Sequence, residues 1–185
     1  HLGDSMNAMV TELSASRREL ADQARLRREL EIATRIQTSI LPRDLGVSGL
    51  EIAARMAPAD EVGGDYYDVL PVDGGRGGAW IGIGDVAGHG LTAGLVMMMI
   101  QSIVAALARE RPEASVRELL LVLNAVLYDN IRVRLEQDEH VTLTLLLYRP
   151  DGLLSYAGAH EEILVWRAAS RRWERVATPG TWRGA

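Results

Sequence analysis

From Met6 to Leu41 apolar residues return at helical spacing, first Met9, Leu13, Leu20 and Ala24, then a shifted stripe of Leu26, Leu30, Ala33, Ile36 and Ile40. No Gly or Pro interrupts them. The pattern predicts one long helix stopped by Pro42, with a break in heptad register near Leu26 that divides it into a solvated or self-pairing half and a half packed on the domain. Arg17, Arg18, Arg25, Arg27 and Arg28 interleave with Glu12, Glu19 and Glu29, which reads either as a wet helix face or as a parallel coiled-coil linker. Past Pro42 the period changes. Leu50–Met56, Tyr66–Val72 and Ala79–Val86 read as strands bounded by Gly, Pro or Asp, the last two joined by a hairpin loop at Asp73–Gly78. Helices follow at Leu91–Arg109 and Ser115–Arg134, separated by Pro112. Strands resume at Val141–Tyr148, Leu153–Gly158 and Ile163–Arg167, with Pro150-Asp151-Gly152 turning the first into the second. Strands grouped as hairpins, not alternating with helices, predict an α+β fold with antiparallel sheets.

With 185 residues, 48% of them hydrophobic, the chain has room for one packed domain and a helical appendage. Residues 1–5, ahead of Met6, read as a cloning remnant, 6–41 as the linker helix and 42–185 as the domain. There is no Cys, and all 20 basic residues are Arg. This excludes a cysteine nucleophile, a disulfide, a thiolate metal site, a Schiff-base lysine and a P-loop lysine. A net charge of -5 argues against nucleic acid as the partner. Leu91–Ala108 is apolar enough to resemble a membrane span, but its Thr92, Gln101 and Ser102 and the closing Arg109-Glu110-Arg111 read as a buried helix. With no signal-peptide pattern, the expected location is the cytoplasm.

Two acidic clusters carry the candidate chemistry. Val62-Gly63-Gly64-Asp65-Tyr66-Tyr67-Asp68 opens one strand, and Gly82-Ile83-Gly84-Asp85-Val86-Ala87-Gly88-His89-Gly90 closes the next. In an antiparallel pair the start of one strand lies beside the end of the other, so Asp65 and Asp85 can meet. Paired carboxylates repel unless a cation or proton lies between them. No Arg occurs from Met56 to Pro71, so the counterion is expected to be a hard divalent metal, Mg²⁺ or Mn²⁺. The competing reading is two Asp residues capping turns. The glycine-rich run also scans weakly as a dinucleotide turn, but Asp85 would repel a pyrophosphate and the acidic residue expected downstream falls at a helix end. His89 is a candidate substrate contact or a turn residue. His140 reads as structural, and His160, in the open turn Gly158-Ala159-His160, as the better substrate-binding candidate. Met97-Met98-Met99 reads as core packing.

Ala33-Thr34-Arg35-Ile36-Gln37-Thr38-Ser39-Ile40-Leu41-Pro42, Pro58-Ala59, the Asp65 cluster and Gly84-Asp85-Val86-Ala87-Gly88-His89-Gly90 together resemble the bacterial serine phosphatases of the stage II sporulation protein E (RsbU) type, in the metal-dependent protein phosphatase (PPM) superfamily. Gly158-Ala159-His160 and Thr178-Pro179-Gly180-Thr181-Trp182 are similar to later segments of that family. The resemblance implies an αββα sandwich of two antiparallel sheets flanked by helices, and a centre of two Mn²⁺ or Mg²⁺ ions. Asp65 would lie near the metals, Asp85 would bridge them, and the Val86 backbone carbonyl would be a further ligand. It implies hydrolysis of a phosphoserine or phosphothreonine on a regulatory protein, such as an anti-sigma-factor antagonist, by an activated water without a covalent intermediate. An upstream sensor and a homodimer through the helix are expected partners. The family carries a further Asp-Gly segment and more strands past the position of Ala185, so the domain is expected to be C-terminally incomplete and weakly active or inactive. The alternative is a non-catalytic, dimerising interaction module of the same fold.

Overall fold

The computed structural model describes residues 2–57, 62–72 and 78–178. The stretch from Met6 that is free of Gly and Pro, together with the residues ahead of it, forms one helix, α1 (Leu2–Ser39), about 57 Å long at 1.5 Å per residue. Strands β1 (Tyr66–Pro71) and β2 (Ala79–Val86) follow, then helices α2 (Leu91–Glu110) and α3 (Val116–Tyr128), and strands β3 (Val141–Tyr148), β4 (Leu154–Ala159), β5 (Ile163–Arg167) and β6 (Arg172–Val176). The strands form two antiparallel sheets, a four-stranded one in the order β1-β2-β3-β4 and a two-stranded one of β5 and β6.

Alternation along each strand sends every second side chain to the helices. Tyr66, Trp80, Val86, Leu143, Leu145 and Leu147 meet Val96, Met97, Ile100 and Val104 of α2 and Leu119, Leu123 and Leu127 of α3 in one buried cluster. Each such side chain contributes about 1.5–3 kcal/mol by leaving water. That burial settles the role of α2: it is long and apolar enough to cross a membrane, yet Ala93, Val96, Met97, Ile100 and Val104 lie inside the core. The Met run divides as its helical positions dictate, Met97 fully buried and Met98 and Met99 half-buried. Ser115 caps α3 through a reciprocal box, its Oγ accepting from the Glu118 amide while Glu118 accepts from the Ser115 amide.

Several expectations are corrected. Leu50–Met56 forms no ladder; its one pairing is a bridge between Val47 and Leu50. The apolar side chains that made it look like a strand, Leu50 and Ile52, instead pack with Val47, Val69, Ala79 and Tyr148 against the sheet face remote from the helices. The helix expected to run to Arg134 becomes a π-helical turn at Asp129–Arg134, where Leu135 N–H reaches back five residues to the Asn130 carbonyl and Ile131 stays in the core. Strand β6 was not expected. It is held to β5 by a Trp166–Trp173 ring contact at 5.2 Å and an Arg167–Glu174 ion pair at 2.7 Å. On α1, Leu26 and Ile36 are exposed, and the inward stripe is Leu30, Ala33, Thr34, Gln37 and Ile40. The loop at 73–77, the Pro58-Ala59 pair and residues 179–182 lie outside the described residues.

Candidate metal centre

The ladder registers bring four polar side chains into one row. Tyr66 pairs with Gly84, so one further step sets Asp65 opposite Asp85. Asp85 pairs with Thr142 in the next ladder. Leu143 pairs with Ala159, so one further step sets His160 opposite Thr142. Residues directly opposite share a face, and Tyr66 and Val86, their sequence neighbours, face the helices. Asp65, Asp85, Thr142 and His160 therefore share the other face, at one end of the sheet. The helix-facing side of the motif behaves differently: Asp68 is 3% exposed, accepts from the Val69 amide and from Gln101 of α2, and stands outside this row.

The carboxylates of the row repel each other. Partial burial, and next the Asp65 carboxylate, raise the Asp85 carboxyl above its ordinary range, against the opposing pull of His160 and the Val86 amide. The donor chemistry fits a hard cation: two carboxylates and a backbone carbonyl, all oxygen. So does the space. A Cβ on Gly64 would lie 2.5 Å from the Val86 carbonyl oxygen and 3.2 Å from Asp85 Oδ1, so only a residue without a side chain leaves these oxygens approachable. Among the described residues no group of three or more Asp, Glu or His side chains converges.

Gln37, which the sequence reading passed over, holds this loop in place. Its side chain is 1% exposed; Nε2 donates to the Gly63 carbonyl at 2.5 Å and Oε1 accepts from the Gly63 amide at 3.2 Å. A primary amide matches both polar groups of one peptide residue, which is why a glutamine displaces Ile36 from the inward stripe. Gly94 on α2 makes the room: a Cβ there would fall 2.2 Å from Val62 Cγ1. The signal in the sequence was a glutamine at helical spacing between Ala33 and Ile40. His89 stands apart, exposed in the turn between β2 and α2, and lines neither cavity beside the row.

The family model for stage II sporulation protein E (SpoIIE) matches residues 75–184, which takes in Asp85, Thr142 and His160 and begins after Asp65. The chain belongs to the SpoIIE family. Its fold is PP2C-like. The SiaA-PP2C domain of Pseudomonas aeruginosa superposes with a TM-score of 0.61 at 20% identity, over 88% of this chain and 67% of that one. A Mycobacterium tuberculosis structure of RsbU and RsbW domains matches with a TM-score of 0.49 at 23% identity, over 66% of this chain and 33% of that one. Among curated proteins none matches. Family and fold place the SpoIIE-type domain in the general class of PP2C-type phosphatases.

Proposed function

We propose that this SpoIIE-family domain is a metal-dependent serine/threonine protein phosphatase of bacterial signalling, acting in the cytoplasm on a phosphoserine or phosphothreonine regulatory protein of the anti-sigma-factor-antagonist kind. The observation that carries the reading is the cross-strand pairing of Asp65 with Asp85 on the open face of the sheet. Asp65, Asp85 and the Val86 carbonyl would hold the Mn²⁺ or Mg²⁺ ions, two in the complete centre, which supply Lewis acidity and an activated water. His160 contacts the phosphoryl substrate from the far end of the row. Direct hydrolysis by an activated water needs neither Cys nor Lys, and the chain has neither.

Metal-dependent phosphate release from p-nitrophenyl phosphate and from a phosphoserine peptide tests this, with Asp85→Asn as the control. Turnover lost in the variant supports the reading. A Mn²⁺-dependent rate kept within a few-fold removes it, and phosphoprotein binding without turnover would establish the interaction module instead. The exposed Met9, Leu13 and Leu20 of α1 are proposed to seam a homodimer carrying signals from an upstream sensor. Leu13→Glu with Leu20→Glu then gives a monomer in sedimentation; a surviving dimer excludes that seam.

A further inference from the structure

The open face of the sheet continues past the carboxylates. One row further from the sheet's end Tyr67 pairs with Ile83, and since they lie two residues from Asp65 and Asp85 they face the same side. Ile83 is half-exposed there. A cavity of about 390 Å³ borders this second row, lined by Tyr67 and Ile83 from the sheet, by Met56 and its alanine neighbours from the segment ahead of the Asp65 loop, and by Asp65 itself. The two formal charges that line it, Asp65 and Arg55, are opposite in sign, so a neutral occupant suits it better than a charged one. The cavity on the other side of the row has a different chemistry: about 400 Å³, with Asp85, Glu161, His140 and Thr142 in its lining. Residues 53–57 make no backbone hydrogen bond with another described residue, and most of them are exposed, so their N–H and C=O groups are open to the main chain of a peptide.

We propose that the cavity beside Ile83 is the subsite for an apolar side chain of the phosphoprotein, two residues along its chain from the phosphoserine. The inference rests on the phosphatase reading and goes beyond it by naming what the substrate carries besides its phosphoryl group. In an extended peptide, side chains return to the same side every second residue, about 7 Å apart. The step from the Asp65–Asp85 pair to the Tyr67–Ile83 pair is the same two residues along a strand. A phosphoserine seated on the first pair therefore sets its second neighbour over the second pair, while the open groups of residues 53–57 lie within the same cavity to meet the peptide backbone. A leucine at that position covers Ile83 and Met56 and takes their apolar surface out of water. An asparagine of similar size gains no such burial.

Phosphoserine peptides carrying Leu or Asn two residues before, or two residues after, the phosphoserine test this in the full chain at saturating Mn²⁺. At one of the two positions the wild-type kcat/KM for the Leu peptide exceeds that for its Asn counterpart by about tenfold or more, the range of discrimination by an apolar pocket. Ile83→Asn brings that ratio close to one, and Ile83→Val keeps the preference. Fluorescence anisotropy of the same peptides, with a phosphonate in place of the phosphate ester, gives the same order of affinities without turnover. Equal values for Leu and Asn at both positions, or a preference unchanged in Ile83→Asn, overturn the subsite and leave the phosphatase reading intact. A chain that binds the phosphonate peptides with the Leu preference but hydrolyses no phosphopeptide removes the phosphatase reading and keeps the subsite. One that neither binds nor hydrolyses them removes both.

Discussion

The two faces of the four-stranded sheet are made by the same strands and do opposite work. Toward α2 and α3, Trp80, Val86, Leu143 and Leu145 are buried with apolar partners on every side. On the other face the row Asp65, Asp85, Thr142 and His160 stands at one end beside half-open cavities, and even Ile83, at 48% exposure, is left uncovered. The packed face supplies stability and a rigid backbone. The open face uses that rigidity, because ladder hydrogen bonds fix which residues lie opposite one another, and so hold two carboxylates together despite their repulsion. A site built on strand ends in this way depends on the core for position and on solvent access for chemistry.

Substitutions on each face, and between them, can break that division. Leu123→Ala, on the packed face, leaves a cavity and costs about 2–5 kcal/mol, read as a large fall in Tm with Asp65 and Asp85 untouched. If it left Tm unchanged, the helix layer would not be the source of stability. Gln37→Ala joins the two regions: it strips both peptide groups of Gly63 of their partner and costs about 1–3 kcal/mol for the unsatisfied groups. Its metal-dependent rate should fall by more than its Tm predicts, since the loop carrying Asp65 loses its tie to α1. Equal rates in variant and wild type would separate α1 from the site.

The smallest effect is the most informative about the packed face. Burial raises the Asp68 carboxyl, outweighing the Val69 and Gln101 hydrogen bonds and the Arg109 charge that lower it. The fold therefore favours the protonated acid. The stability this gives is complete below the unfolded carboxylate range and is lost as pH rises through the raised folded value. Asp68→Asn removes the loss, so Tm should rise at pH 7 and not at pH 3. A lower Tm at pH 7 would mean that the ionised carboxylate is needed where it lies.

Much of this was legible because period and punctuation agree in it. The bounds of β2, β3 and β5 and the start of α2 fall where alternation, glycine and proline put them, and the meeting of Asp65 with Asp85 follows from one hairpin. What was not legible depends on partners far along the chain. Leu50–Met56 has a strand's composition, but its Leu50 and Ile52 are taken up by packing on the sheet face with Val69, Ala79 and Tyr148. Gln37 was not singled out, since nothing local announces the peptide group of Gly63 that it binds. Thr142 reads as ordinary alternation in Val141-Thr142-Leu143-Thr144, and its place in the row emerges only when the registers of two ladders are added. β6, rich in Arg, is held by Trp166 and Arg167 opposite, which no period within its own five residues reveals.

The central claim is that the Asp65–Asp85 pair is a cation site made by the ladder. Titration with Mn²⁺, following the free ion by its paramagnetic resonance signal, tests it without any need for turnover. The account predicts saturable binding to the wild-type chain that weakens in Asp65→Asn and disappears in the Asp65→Asn/Asp85→Asn double variant, with Tm in the absence of metal no lower than wild type. Saturable binding undiminished in the double variant would contradict it.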